Sequence, residues 1–278
     1  MKRQVCQLAE QARSSWKDDS FTSWDQWPVE TPTRERIETH RKERPNEEIV
    51  IGRIDNDGHV LGLFGPLPGL QNIAKEEFVT PYRFPLEVVL IEDKILIRKD
   101  FRGRRAPFIR EWHNLTLLNA KANVPPVFCV DERRCVLYKN FIPGSTIRAR
   151  LARAGARILN KQTDQDPELA HLDGQERLYA ILARGSALIS KCLAPDVVTE
   201  MEHQIEAIHR CGVANLSLTF GNLIVDENRV PWFLDFEGAR AFPSTHHPLF
   251  VLSRDKDRAL FNRIYGRNLL TEKSAREA

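Results

Sequence analysis

Apolar and polar residues alternate along three pairs of short segments in the first half of the chain, as expected for strands with one buried face. These pairs are 48–54 with 59–64, 86–92 with 95–101, and 127–130 with 135–141. A few turn-forming residues, such as Asp55-Asn56-Asp57-Gly58, separate the members of each pair, which predicts three β-hairpins. Pro107 suits the first turn of a helix, so a helix is predicted over 108–120.

The second half has helical periodicity. It predicts helices over 146–159, 175–191, 195–210 and 254–264, with one further hairpin between 223 and 235. Residues 1–47 mix both charge signs with few apolar positions, which predicts a polar arm containing a short helix over 33–44. The order of elements predicts an α+β, two-lobed fold: the arm 1–47, a sheet-rich N-terminal lobe 48–141 and a mostly helical C-terminal lobe 142–278.

Composition narrows the class of protein. The 278 residues are 42% hydrophobic and 28% charged with a formal net charge of +3, a globular balance that does not predict nucleic-acid binding. The five cysteines form no CxxC pair, so reduced thiols in a cytoplasmic protein are expected. No apolar run has the roughly 20 residues that cross a bilayer, so no transmembrane segment is predicted.

Residues 209–240 carry the candidate chemistry. A helix end leads into a loop with Asn222, then a short strand, a turn, and a second apolar strand that ends in Asp235-Phe236-Glu237. Lys99 lies on a predicted strand upstream, and Glu111 lies on the helix that follows it. This series of features resembles the protein-kinase-like superfamily, in particular small bacterial RIO-like and lipopolysaccharide-kinase-type proteins, over roughly residues 84 to 270.

The resemblance implies a site for ATP and Mg²⁺. Asn222 and Asp235 are thirteen positions apart on either side of the hairpin, which brings them to the same end of its strands, and the resemblance gives them the metal. The resemblance also implies that Lys99 contacts the phosphates of ATP and forms an ion pair with Glu111. The alternative functions of these two side chains are an exposed strand lysine and a glutamate that offsets the helix dipole.

The segment between the predicted lobes, Tyr138, Lys139, Asn140 and Phe141, resembles the hinge whose backbone groups hold adenine in this superfamily. The Pro143-Gly144 pair that follows is common in loops of every kind, so this part of the resemblance rests on position in the chain.

Two departures from the family pattern bear on activity. The family has His-x-Asp-Leu before the asparagine, and this chain has Asn215 in place of the histidine and Ser217 in place of the aspartate that orients the attacking hydroxyl. No glycine-rich phosphate loop precedes Lys99. These departures favour a pseudokinase that binds ATP and Mg²⁺ as a regulatory or scaffold module.

Two other functions stay open. One is an active kinase with an atypical catalytic loop, which phosphorylates a hydroxyl of a protein, a glycan or a lipid headgroup. The other is transfer chemistry such as adenylylation. Arginines cluster near Lys99 and again between 148 and 157, which indicates either a solvated surface or a site for an anionic substrate or protein partner.

Overall fold

The structure is a computed structural model that describes residues 22–25, 31–43, 47–54, 60–62, 84–153, 180 and 185–266. Its largest element is an antiparallel sheet of six strands, in the order β2-β1-β3-β4-β6-β5. The strands are β1 Ile49–Ile54, β2 Val60–Gly62, β3 Leu86–Ile91, β4 Lys94–Asp100, β5 Val127–Asp131 and β6 Val136–Asn140. The three predicted hairpins are therefore present, because β1 pairs with β2, β3 with β4, and β5 with β6.

Helices dominate the second half of the chain, so the fold is α+β. The helices are α1 Thr31–Glu43, α2 Arg105–Leu118, α3 Ile147–Arg153, α4 Ile189–Cys192, α5 Pro195–Arg210 and α6 Pro248–Phe261. Five short strands join them: β7 Ser145–Thr146, β8 Val213–Ala214, β9 Leu223–Val225, β10 Pro231–Phe233 and β11 Arg240–Ala241. Strands β10, β9 and β7 form one small sheet, and β11 pairs with β8.

Helix α6 begins six residues before the predicted start at 254. The missed signal is Pro248, which occupies the first turn, while the ring of His247 accepts a hydrogen bond from the Leu249 backbone at 3.2 Å. The predicted helix 195–210 agrees with α5. The predicted helices 146–159 and 175–191 lie partly outside the described residues.

One large apolar core connects α2 with the helical half. Phe108 and Leu115 of α2 belong to the same buried cluster as Met201 and Ile205 of α5 and Tyr265 after α6. This continuity fixes α2 against both the sheet and the helices. It thereby positions any functional side chain that α2 carries.

In the part of the polar arm that the structure describes, Trp24 packs on the sheet. Trp24 is fully buried in a cluster with Ile37 of α1 and Phe141, and its indole nitrogen donates to Glu38 at 2.6 Å. The backbone beside it pairs with the start of the internal strand β4, since Ile95 N donates to Thr22 O at 2.9 Å. The helix predicted over 33–44 as solvated is α1, and its buried face shows that it is packed on one side.

Candidate functional site

Lys99 is the centre of a buried group of charges. Its ammonium nitrogen lies 2.6 Å from Glu111 Oε2, 3.1 Å from Asp235 Oδ1 and 3.1 Å from Glu237 Oε2. The lysine comes from β4, the first carboxylate from α2, and the other two from the loop after β10. The group therefore joins three separate parts of the fold, and the only ion pair in it that was predicted from the sequence is that of Lys99 with Glu111.

Lys139 on β6 is a second cation in the same group. Its ammonium nitrogen lies 2.6 Å from Glu111 Oε1 and donates to the Leu234 carbonyl at 2.6 Å. Glu111 is fully buried, and each of its carboxylate oxygens is paired with a different lysine. Burial of this carboxylate is tolerated because both oxygens have a charged donor.

The charges in this group shift one another's pKa values. Burial acts to lower the pKa of Lys99, but Glu111, Asp235 and Glu237 together raise it well above its ordinary value. Burial acts to raise the pKa of Asp235, but Lys99 and Lys139 hold it below its ordinary value. The pKa of Glu237 is raised, first by burial and then by the charge of Asp235, against the opposing effect of Lys99. Lys99 and Asp235 are thus both charged at neutral pH.

Except for the fully buried Glu111, these side chains line a cleft between the large sheet and the small β7-β9-β10 sheet. The cleft contains about 790 Å³ of atom-free space, including the part that is open to solvent. Its apolar walls include Phe84, Ile97 and Ile224. Its polar lining includes six of the groups already introduced: Lys99, Lys139, Asn140, Asn222, Asp235 and Glu237. An apolar cleft with a few convergent charges is typical of a small-molecule site.

Oxygen atoms suited to a divalent cation lie together beside this cleft, and two of the carboxylates, Asp235 and Glu237, line it. Carboxylate oxygens of Glu111, Asp235 and Glu237 all lie within 4.8 Å of one another. Asn222 also lines the cleft. Its backbone carbonyl accepts from Leu234 N at 2.9 Å, so the β9–β10 hairpin brings Asn222 to the same end of its strands as Asp235. Hard cations such as Mg²⁺ prefer carboxylate and amide oxygens of this kind.

The loop between β8 and β9 holds the two residues that the sequence marked as departures. Ser217 Oγ accepts a hydrogen bond from Asn222 Nδ2 at 2.7 Å, and the Ser217 carbonyl accepts a second from the same nitrogen at 3.2 Å. Asn215 has φ 64°, a left-handed conformation that asparagine tolerates, and its side chain donates to the Gly238 carbonyl at 2.8 Å. Asn215 therefore links this loop to the segment that follows Asp235.

Asp257 on α6 anchors the same loop, a role that no sequence pattern indicated. It is almost fully buried and accepts hydrogen bonds from the Asn215 backbone at 2.9 Å and the Leu216 backbone at 3.0 Å. It also lies 3.1 Å from Nε2 of the buried His209 at the end of α5. One carboxylate thus holds the loop against two helices.

The four predicted hinge residues divide between two sides of the sheet. Lys139, Asn140 and Phe141 line the cleft. Tyr138 packs on the other face, where its hydroxyl donates to Glu48 at 2.7 Å, and burial followed by the charge of Glu48 raises its pKa far above the usual range.

Part of this segment's backbone is already bonded. The backbone N–H groups of Asn140 and Phe141 donate to the carbonyls of Pro126 and Ile95. The Phe141 backbone carbonyl accepts from Thr22 Oγ1. A ligand in the cleft would therefore find these particular groups occupied.

Comparisons with known proteins give no family. No protein-family model matches the chain, and no curated protein sequence matches it. Among the helices that the structure describes, none has the length and apolar character needed to cross a membrane.

Proposed function

We propose that the protein has a two-lobed protein-kinase-like fold and binds ATP with Mg²⁺ as a pseudokinase, a regulatory or scaffold module. The observation that carries this proposal is the ion-paired cluster of the buried Lys99 and Glu111 with the partly buried Asp235, beside an apolar cleft that Lys99 and Asp235 line. A lysine of this kind binds the phosphates of the nucleotide, and the aspartate binds the metal. The absence of any matching family leaves this cluster as the main support.

The donor atoms fit a magnesium nucleotide. Asp235 keeps its charge because two lysines lower its pKa, and Asn222 has its amide nitrogen held by Ser217, which leaves its oxygen as the coordinating atom. Bound Mg²⁺ would neutralise phosphate charge. The chain would provide Asp235 and Asn222 to hold it, and Lys99 to hold the phosphate oxygens.

Weak or absent turnover is supported by the surroundings of Ser217. In the part of the chain that the structure describes, its side-chain hydrogen bond is to the Asn222 amide, and it makes none to a carboxylate or a histidine. A serine without a base accepts a proton poorly at neutral pH. Loss of a general base costs about 10²–10⁴-fold in rate.

The alternative is an active phosphotransferase that acts on a hydroxyl of a protein, a glycan or a lipid headgroup. The completeness of the ion-pair cluster favours it, because positioning and metal chemistry supply most of the rate in phosphoryl transfer. An anionic substrate or protein partner has a candidate surface in either case. Arg102, Arg104 and Arg105 are exposed at the start of α2.

Thermal unfolding with and without Mg-ATP tests the nucleotide site. At about 100 times the dissociation constant, a ligand stabilises by roughly 2.7 kcal/mol, which corresponds to a rise in Tm of about 5–11 °C in a chain of this size. We expect the rise in the wild type and in the control Lys256→Met on the exposed side of α6, and its loss in Lys99→Met and Asp235→Asn.

Two outcomes would count against the pseudokinase proposal. A wild type that shows no rise at millimolar Mg-ATP would exclude the nucleotide site. Phosphate transfer to a hydroxyl, abolished in Asp235→Asn, would instead establish the active alternative.

A further inference from the structure

The two lysines that flank Glu111 lie on one face of the sheet. Ile97 of β4 is opposite Lys139 of β6, and Lys99 is two positions further along β4, so Lys99 and Lys139 are diagonal neighbours with the same orientation. Two ammonium groups at this spacing repel each other. Glu111, with an oxygen 2.6 Å from each nitrogen, offsets that repulsion.

The two lysines differ in what else they contact. Lys99 reaches the carboxylates of Asp235 and Glu237, which line the cleft. Lys139 instead donates to the carbonyl of Leu234, the residue directly before Asp235. Lys139 therefore ties α2, through Glu111, to the end of β10, and this connection does not use Lys99.

We infer that Lys139 is a positioning residue that holds Glu111 and helix α2 against the loop after β10, whether or not Lys99 is bound to Glu111. A buried carboxylate that lost its sole partner would be strongly destabilising. When Lys99 moves, Glu111 keeps the Lys139 ammonium at 2.6 Å, so α2 stays in place.

A consequence for ligand binding follows, and this step rests on the proposed function. Lys99 can turn towards an anionic phosphate without leaving Glu111 as an unpaired buried charge. The division is then clear: Lys139 maintains the architecture, and Lys99 is the lysine available to the ligand.

Hydrogen exchange of the full-length protein without nucleotide tests the inference. The peptides to follow are those that cover α2 (105–118) and the segment 231–239, in the wild type, Lys99→Met, Lys139→Met and the double variant. We expect Lys99→Met to leave exchange of α2 close to the wild-type rate. We expect Lys139→Met to accelerate exchange in both segments, because Leu234 loses its donor and Glu111 is no longer linked to the end of β10.

The double variant should show the largest effect. We expect exchange of α2 to increase about 100-fold or more, which corresponds to about 3 kcal/mol at 1.4 kcal/mol per factor of ten. Adding Glu111→Gln to the double variant removes the unpaired charge and should restore most of the protection. This triple variant also keeps the test valid if the double variant does not fold.

Two control variants are compared with these. Lys139→Arg, which retains a charged donor, should keep near-wild-type exchange, and Lys256→Met on the exposed part of α6 should have no effect. Equal acceleration of α2 in Lys99→Met and Lys139→Met, or a triple variant that stays unprotected or unfolded, would overturn the inference. Because no nucleotide is present, failure of ATP binding would refute the proposed function and leave this result standing.

Discussion

Replacing Asp257 with alanine should destabilise the protein, because Asp257 anchors the loop that carries Ser217. The buried carboxylate accepts two backbone hydrogen bonds, at 2.9 and 3.0 Å, and contacts His209 at 3.1 Å. Hydrogen bonds to a charged group are worth about 1.5–3 kcal/mol each, and a buried donor left unsatisfied costs about 1–3 kcal/mol. Because these two contributions overlap, we expect Asp257→Ala to lower the free energy of unfolding by about 3–5 kcal/mol.

Urea unfolding at pH 7 measures this loss, with Asp255→Ala as the matched control on the same helix. Asp255 pairs only with its neighbour Arg254 among the contacts described, and its side chain is 56% exposed, so its replacement should cost less than about 1 kcal/mol. Exchange of the backbone amides of Asn215 and Leu216 should accelerate in Asp257→Ala alone. A cost below about 1 kcal/mol for Asp257→Ala, or unchanged exchange of those two amides, would refute the anchoring argument.

Three further predictions concern stability. The pKa of Asp235 is lowered from 3.8, so its charge stabilises the folded state above that pH, and this stabilisation is lost as the pH falls through the pKa of the folded protein. The difference in unfolding free energy between wild type and Asp235→Asn should therefore narrow below about pH 3.8. A constant difference across an acid titration would contradict this prediction. Gly144→Ala should destabilise by roughly 1–3 kcal/mol in urea unfolding, because the added Cβ would lie 2.7 Å from Ile224 Cγ2, whereas Gly238→Ala, with nothing within 4 Å, should stay within about 1 kcal/mol of wild type. Trp24→Ala should cost about 3–5 kcal/mol in the same assay, and a smaller loss would mean that the arm contributes little to the core.

The antiparallel sheet could be predicted because its signals are local. Alternation of period two and short polar turns define each hairpin within about fifteen residues, and β3 and β4 differ from the predicted segments by only one residue at their ends. The start of α6 was missed because a first-turn proline outweighed the composition of the segment that follows it.

The candidate site could be predicted only where neighbouring elements supply it. Lys99 and Glu111 come from adjacent elements, and the structure brings them together, while their phosphate-binding role stays a prediction. The pairing of Lys139 with Glu111 spans 28 positions, and that of Asp257 with the Asn215 backbone spans 42. Nothing near either residue distinguishes a buried charge from a surface charge, because burial depends on tertiary packing that periodicity does not encode.

The docking of the N-terminal arm has a consequence for biosynthesis. The Thr22 backbone donates to the Asn140 side chain 118 residues later, so the arm leaves the ribosome long before this partner exists. At roughly 5–20 residues per second, that interval is about 6–24 s. The Trp24 cluster also includes Phe141, so it stays incomplete over the same interval. Completion of β6 is therefore the step that supplies the last contacts of the docked arm.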